Sequence, residues 1–240
     1  MRQGRTWLET RAELGPCSAM DKITSSHLTD IFRLIALRLS EARVELGALD
    51  GAIGDADHGN SMAEGFAALV RATSARSDAS PAELFMLAAR SFHSAVGATT
   101  GPLYASALMA AGRHLEGKVA LDAADVVRLV PSFARGIAER GKAQAGDKTM
   151  MDAWGPAARA AVEALNAGLS ARDCIARAEA AAREGCDDTR AMVASVGRAA
   201  RLGARSLGHV DPGAASAVII ITALQEWLAR QDDAHAGEAV

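Results

Sequence analysis

From Thr24 to about Arg230 the chain carries apolar residues at three-and-four spacing almost without interruption, which leaves α-helices as its building material. β-Branched residues are sparse and never alternate over a sustained run, so strands have no support. The one ambiguous piece, Val218 to Thr222, reads as buried helix from its length and flanks. A first helix is expected from about Thr24 to about Leu46, with a stripe at Ile31, Leu34, Ile35 and Leu39 and Ser25 or Ser26 as cap. Alanine-rich segments follow near 61–73, 81–95, 102–115, 122–140, 148–168, 171–184, 189–200 and 214–230, each bounded by Gly, Pro, Asp or Ser. The fold class is therefore all-α, with eight or nine helices in a single domain over 21–232 and a short tail at 233–240. Residues 1–20 mix Arg, Glu, Gly and Pro without an apolar core; they are expected to form a mobile extension and lack the pattern of a signal peptide.

Composition excludes several function classes. Of the 240 residues 50% are hydrophobic, enough to bury a sizeable core. The net charge is −3 and basic residues are spread along helices, so neither nucleic acid nor an anionic membrane is an expected partner. Cys17, Cys174 and Cys186 are odd in number and lack CxxC spacing, the usage of reduced thiols in a cytoplasm. No stretch reaches the roughly eighteen consecutive apolar residues of a membrane span, and a soluble protein is expected.

Four glycine-bearing connections differ in chemistry from the helices they join. The first runs Asp50-Gly51-Ala52-Ile53-Gly54-Asp55-Ala56-Asp57-His58-Gly59-Asn60. Three carboxylates in eight positions repel one another, and three glycines give up backbone entropy, so a plain turn has no reason to carry them together. A hard divalent cation offsets both penalties, because Mg²⁺ and Ca²⁺ prefer carboxylate oxygens. His58 beside them is a candidate general base or phosphate donor; Mg²⁺ prefers oxygen, which makes it the weakest candidate as a ligand.

The other three connections are weaker signals. Gly97 to Pro102 has the parts of a phosphate-binding helix N-terminus, with Thr99 and Thr100 as hydroxyl donors and the helix starting near Pro102. Taken alone, a helix start capped by threonine is the simpler reading. Gly141 to Met150 places Asp147 to cap a helix beginning near Thr149; Lys142 and Lys148 are either phosphate-facing cations or solvated charges, and Met150 either a base contact or core. In Arg205 to Gly213, Asp211 caps the last helix with Pro212 in its first turn, and Arg205 is a candidate phosphate fork. Arg198, Arg201 and Arg205 recur at three and four residues and read as one solvated basic face, while Trp154 and Trp227 read as core anchors. In an up-and-down helical array such loops meet at one rim.

The strings LDGAIGDADHG, GATTGPLYASAL, GKAQAGDKTMMDAW and ARSLGHVDPGAASA, in this order and spacing, resemble the nucleotide-binding L subunit of dihydroxyacetone kinases, the DAK2 domain family. The resemblance covers about Ile23 to Arg230. It implies an antiparallel eight-helix barrel holding ADP or ATP through two Mg²⁺ ions in the loops at one end. By position it implies Asp50, Asp55 and Asp57 as metal ligands and catalytic residues together with Arg205. Nucleotide contacts are implied for His58, Gly59, Asn60, Ser61, Thr99, Thr100, Gly141, Met150, Arg205, Asp211, Pro212 and Gly213. Two departures from the family pattern stand out: Gly97-Ala98-Thr99-Thr100 replaces a glycine pair followed by Ala-Ser, and the family asparagine after DHG falls at Ser61.

The implied activity is phosphoryl transfer to dihydroxyacetone or a similar small ketose held on a separate K subunit. A phosphotransferase-system protein is the donor in one branch of the family and exchangeable ATP in the other; a homo-oligomer is allowed. The competing reading is a regulatory module that senses nucleotide or metal without catalysis. A di-metal oxidoreductase bundle fits poorly, because its carboxylates belong inside helices and these lie in a turn.

Overall fold

The computed structural model describes residues 22–76, 78–97 and 99–238, with the backbone alone over 234–238. Residues 1–20, expected to be a mobile extension, lie outside it. Among the described residues nine α-helices follow in order: α1 (Ser25–Glu41), α2 (Arg43–Ile53), α3 (His58–Ser74), α4 (Pro81–Ala95), α5 (Thr100–His114), α6 (Ala123–Gly141), α7 (Met151–Asn166), α8 (Ala171–Asp188) and α9 (Pro212–Glu238). Two short 3₁₀ segments, Thr189–Ala191 and Ala199–Ser206, lie between α8 and α9. The only extended pairing among the described residues is one isolated antiparallel bridge, Ile23 to Leu121.

The apolar stripes close on one another. α1 packs on α3, each helix from α3 to α8 packs on the next, and α9 packs back on α1. Eight helices thus form a ring, while α2 lies against α3 and α9. The ring agrees with the barrel implied by the resemblance. Its interior is filled by aromatic residues meeting edge to face or tilted, among them Phe32 on Phe85 (5.2 Å), Phe66 on Phe92 (5.5 Å) and Phe133 on Trp154 (5.4 Å). Trp154 and Trp227 are buried, as expected of core anchors.

Helix α9 is, by length and composition, apolar enough to cross a membrane over Pro212–Asp233, which the sequence expectation did not anticipate. Two-thirds of that stretch is buried inside the protein (67%), so it is apolar because it is packed by neighbours on several sides.

Other boundaries move. The first helix breaks after Glu41 and restarts as α2, which carries the chain to Ile53 instead of stopping near Leu46. The helix expected at 189–200 is absent: Gly197 and Gly203 have φ of 72° and 55°, and Val193 and Val196 stay exposed, so no apolar stripe is buried there. The tail expected at 233–240 continues α9 to Glu238.

Candidate functional site

The starts of α3, α5, α7 and α9 and the ends of α2 and α6 converge on one cleft of about 250 Å³, the alternation an up-and-down ring requires. Carboxylate oxygens of Asp50, Asp55 and Asp57 lie within 4.8 Å of one another at its edge. Asp50 is anchored, since its Oδ2 accepts from the backbone N–H groups of Asp57 (2.9 Å) and His58 (3.2 Å) and so caps the first turn of α3. Two glycines of this turn have packing reasons. A Cβ at Gly54 would overlap the Asp50 carboxylate, and one at Gly59 would overlap the Arg43 carbonyl, where α3 starts hard against α2.

Arg198 supplies the cation these anions hold. Its guanidinium forms ion pairs with Asp55 and, at 3.3 Å, with Asp57. Both aspartates and the arginine are about half exposed, so the pairing is weak and exchangeable. The reading of Arg198 as part of a solvated basic face is therefore corrected. Arg205 sits exposed on the second 3₁₀ segment and is not among the residues lining the cleft.

His58 is buried, with Nε2 3.0 Å from Ser216 Oγ of α9, and that oxygen lies 3.3 Å from the Tyr104 hydroxyl. Burial pushes its imidazole below the ordinary value, against the pull of Asp50 and Asp57. Thr99 is the N-cap of α5, but its side chain makes no cap bond, contrary to the simpler sequence reading, and the helix starts at Thr100. Thr99 and Thr100 line the cleft at this helix start, while the Gly101 N–H is taken by the Gly97 carbonyl at 3.3 Å.

The 141–150 connection also differs from expectation. Asp147 accepts from Gln144 N (2.7 Å) and Ser195 Oγ (2.5 Å) and does not cap α7. Asp152, buried in the first turn, instead accepts from the amides just before the helix, Thr149 N (2.8 Å) and Gly146 N (2.5 Å), while Thr149 Oγ1 accepts from the first-turn Met151 N (3.1 Å). Lys148 is buried, and its ammonium donates to the carbonyls of Thr189 and His209. Asp211 does cap α9, accepting from Ala214 N at 2.7 Å.

Of the expected residues, Asp50, Asp57, His58, Ser61, Thr99, Thr100, Gly141, Met150, Asp211, Pro212 and Gly213 line the cleft. Asp55 joins through the carboxylate cluster; Gly59, Asn60 and Arg205 are not among the lining residues. Sequence reasoning missed Arg198 and the Gly197 beside it, both in the lining. The available signal, a glycine directly before an arginine, was masked by a helical periodicity in the stretch around it.

The model of the DAK2 domain matches residues 52–226. The chain belongs to the DAK2 domain family. Among relatives of this DAK2 domain, the ADP-binding subunit DhaL of PEP-dependent dihydroxyacetone kinase 1 from Listeria innocua is 36% identical over 187 residues, covering 78% of this chain and 88% of that protein. The ADP-binding subunit DhaL of the PEP-dependent dihydroxyacetone kinase from Escherichia coli is 34% identical over 179 residues, 75% of this chain and 85% of that protein. The L-erythrulose 1-kinase of Mycolicibacterium smegmatis is 31% identical over 227 residues, but the DAK2 domain here spans only 39% of it. The fold is that of the crystal structure of the dihydroxyacetone kinase from C. freundii in complex with AMP-PNP and Mg²⁺, with TM-score 0.65 at 24% identity over 94% of this chain and 38% of that one.

Proposed function

We propose that this chain is the cytoplasmic nucleotide-binding subunit of a dihydroxyacetone-type kinase, holding ADP or ATP with two Mg²⁺ ions and passing a phosphoryl group to a small ketose on a separate K subunit. The observation that carries the reading is the cluster of Asp50, Asp55 and Asp57 with an exchangeable Arg198 at the edge of a cleft walled by helix N-termini. An all-oxygen donor set of three carboxylates fits Mg²⁺, and the arginine already marks the place as one that selects positive charge. Asp50, Asp55 and Asp57 would hold the Mg²⁺, whose positive charge would offset the negative charge of nucleotide phosphates.

The chain's own residues then divide the work. Asp50 keeps the turn in shape through two backbone amides, while Asp55 and Asp57 present outward-facing oxygens. The start of α5 offers the hydroxyls of Thr99 and Thr100 to an anion. Arg198, released from the aspartates, has a planar fork suited to oxygens of the transferred group, which makes it a better candidate than Arg205 for stabilising the charge that develops there. The names of the Listeria and Escherichia relatives favour the branch in which ADP is retained and rephosphorylated by a phosphotransferase-system protein.

The test is mass analysis of co-purifying nucleotide followed by titration with ADP and ATP, with and without Mg²⁺. Retained ADP and Mg²⁺-dependent binding that disappears in Asp55→Ala are expected. An Asp55→Ala chain that binds as well as the parent would sink the site assignment. Tight binding with no transfer to any K-type partner would favour the regulatory reading.

A further inference from the structure

Residues 190–208 form a closed loop between α8 and α9, and it carries Arg198 to the aspartates. Its neck is tied by the Gly208 N–H donating to the Arg190 carbonyl (2.8 Å) and the Asp211 N–H donating to Thr189 Oγ1 (2.9 Å). Its middle is held by the Ser195 N–H donating to the Asp147 carbonyl (3.3 Å) and the Ala194 N–H donating to Ser206 Oγ (2.9 Å). Lys148 stands under the neck. It is 2% exposed, adopts φ of 60°, and its ammonium donates to the carbonyl of Thr189 on one side of the neck and to that of His209 (2.5 Å) on the other.

A buried lysine is rare, because desolvating an ammonium is unfavourable unless its protons find partners. Here the ammonium donates to backbone carbonyls twenty positions apart, at the C-cap of α8 and just before α9, a geometry that joins the two ends of one loop. A left-handed, non-glycine backbone at Lys148 is a further local strain that the contact must outweigh.

From this geometry we infer that Lys148 is a positioning residue: it clasps the neck of the 190–208 loop and thereby sets Arg198 over the acidic turn. The inference rests on the proposed function only for its kinetic consequence; the clasp itself is independent of it. Lys148 lies in the cleft lining near Asp211, but its ammonium forms no ion pair with Asp50, Asp55 or Asp57; it is bound to the two neck carbonyls, and it acts on the reaction through Arg198.

The experiment combines hydrogen exchange with a double-mutant cycle. In the parent chain, the amides of Gly208 and Asp211 are expected to exchange more slowly than those of 198–205, since the clasp protects the neck more than the loop tip. In Lys148→Met, exchange should rise across 190–211 while α3 to α6 keep their protection. Turnover with a K-type partner should fall about tenfold or more with Mg²⁺-ADP affinity changed less than about threefold. Adding Arg198→Ala to Lys148→Met should lower turnover no further than Arg198→Ala alone, because both act through one guanidinium. Additive losses would assign Lys148 a general structural role and overturn the inference. A neck that exchanges as fast as the loop tip in the parent chain would overturn it even if Lys148→Met failed to fold. A parent chain that binds no nucleotide would remove the kinase reading and leave the exchange measurements to decide the clasp.

Discussion

At the scale of residues, the three aspartates do different work. Asp55 projects from the turn and, among the described residues, forms its ion pair with Arg198, both partners about half exposed. Its removal should leave stability within about 0.5 kcal/mol of the parent. Asp50 accepts two backbone N–H groups at the start of α3, so Asp50→Ala removes a helix cap as well as a metal ligand and should cost about 1–2 kcal/mol. Urea melts of the two variants without Mg²⁺ check this; equal midpoints would show that the Asp50 hydrogen bonds contribute nothing measurable. The acidic turn was legible in the sequence because crowded like charges with glycines are unfavourable without a ligand. Arg198 was not, because it reaches Asp57 from 141 positions away and its own stretch imitates an amphipathic helix.

At the scale of elements, helix periodicity located most helices, yet it could not say which ends would be capped by what. Asp147 and Asp152 both stand near the start of α7, and only the fold of the 141–150 connection turns Asp152 inward onto Thr149 and Gly146 while Asp147 serves the neighbouring loop. The same place sets the spacing of α7 and α8. A Cβ at Gly185 would overlap the Asp152 carbonyl oxygen, stand 3.1 Å from its carbon and meet Pro156 Cγ at 3.3 Å. Alanine is the better helix former by about 1 kcal/mol, but the obstacle is backbone and cannot swing aside. Gly185→Ala should therefore destabilise by about 1–3 kcal/mol net, lowering Tm by roughly 2–10 °C in calorimetry. A Tm at or above that of the parent would show that α7 and α8 separate freely. The 189–200 stretch misled for a related reason: its periodicity is helical, but positive φ at Gly197 and Gly203 bends the chain so that no common face forms.

At the scale of the whole molecule, closing eight helices into a ring brings the two ends of the sequence-distant site together, as α9 packs on α1 and its first turn faces α3. Periodicity gives stripes and not partners, so this closure was reached through the family resemblance and not through any local pattern. The ring also buries Asp211 at the start of α9, and burial raises its carboxyl to about 7, with the Ala214 amide and the Lys148 ammonium pulling the other way. An unfolded aspartate ionises near pH ~4. Between these values the folded chain binds more protons than the unfolded one, so the contribution of Asp211 to stability is fully present at the acid end and is lost as pH rises towards about 7. The slope is at most about 1.4 kcal/mol per pH unit for one proton. Asp211→Asn keeps a side-chain oxygen able to cap Ala214 and removes the titration. Urea unfolding of both chains from pH 4.5 to 7.5, without Mg²⁺ or nucleotide, should show the parent losing stability relative to Asp211→Asn as pH rises. A constant difference across that range would mean that Asp211 ionises at its ordinary pH in the folded chain, with Lys148 as the counter-charge that keeps it so.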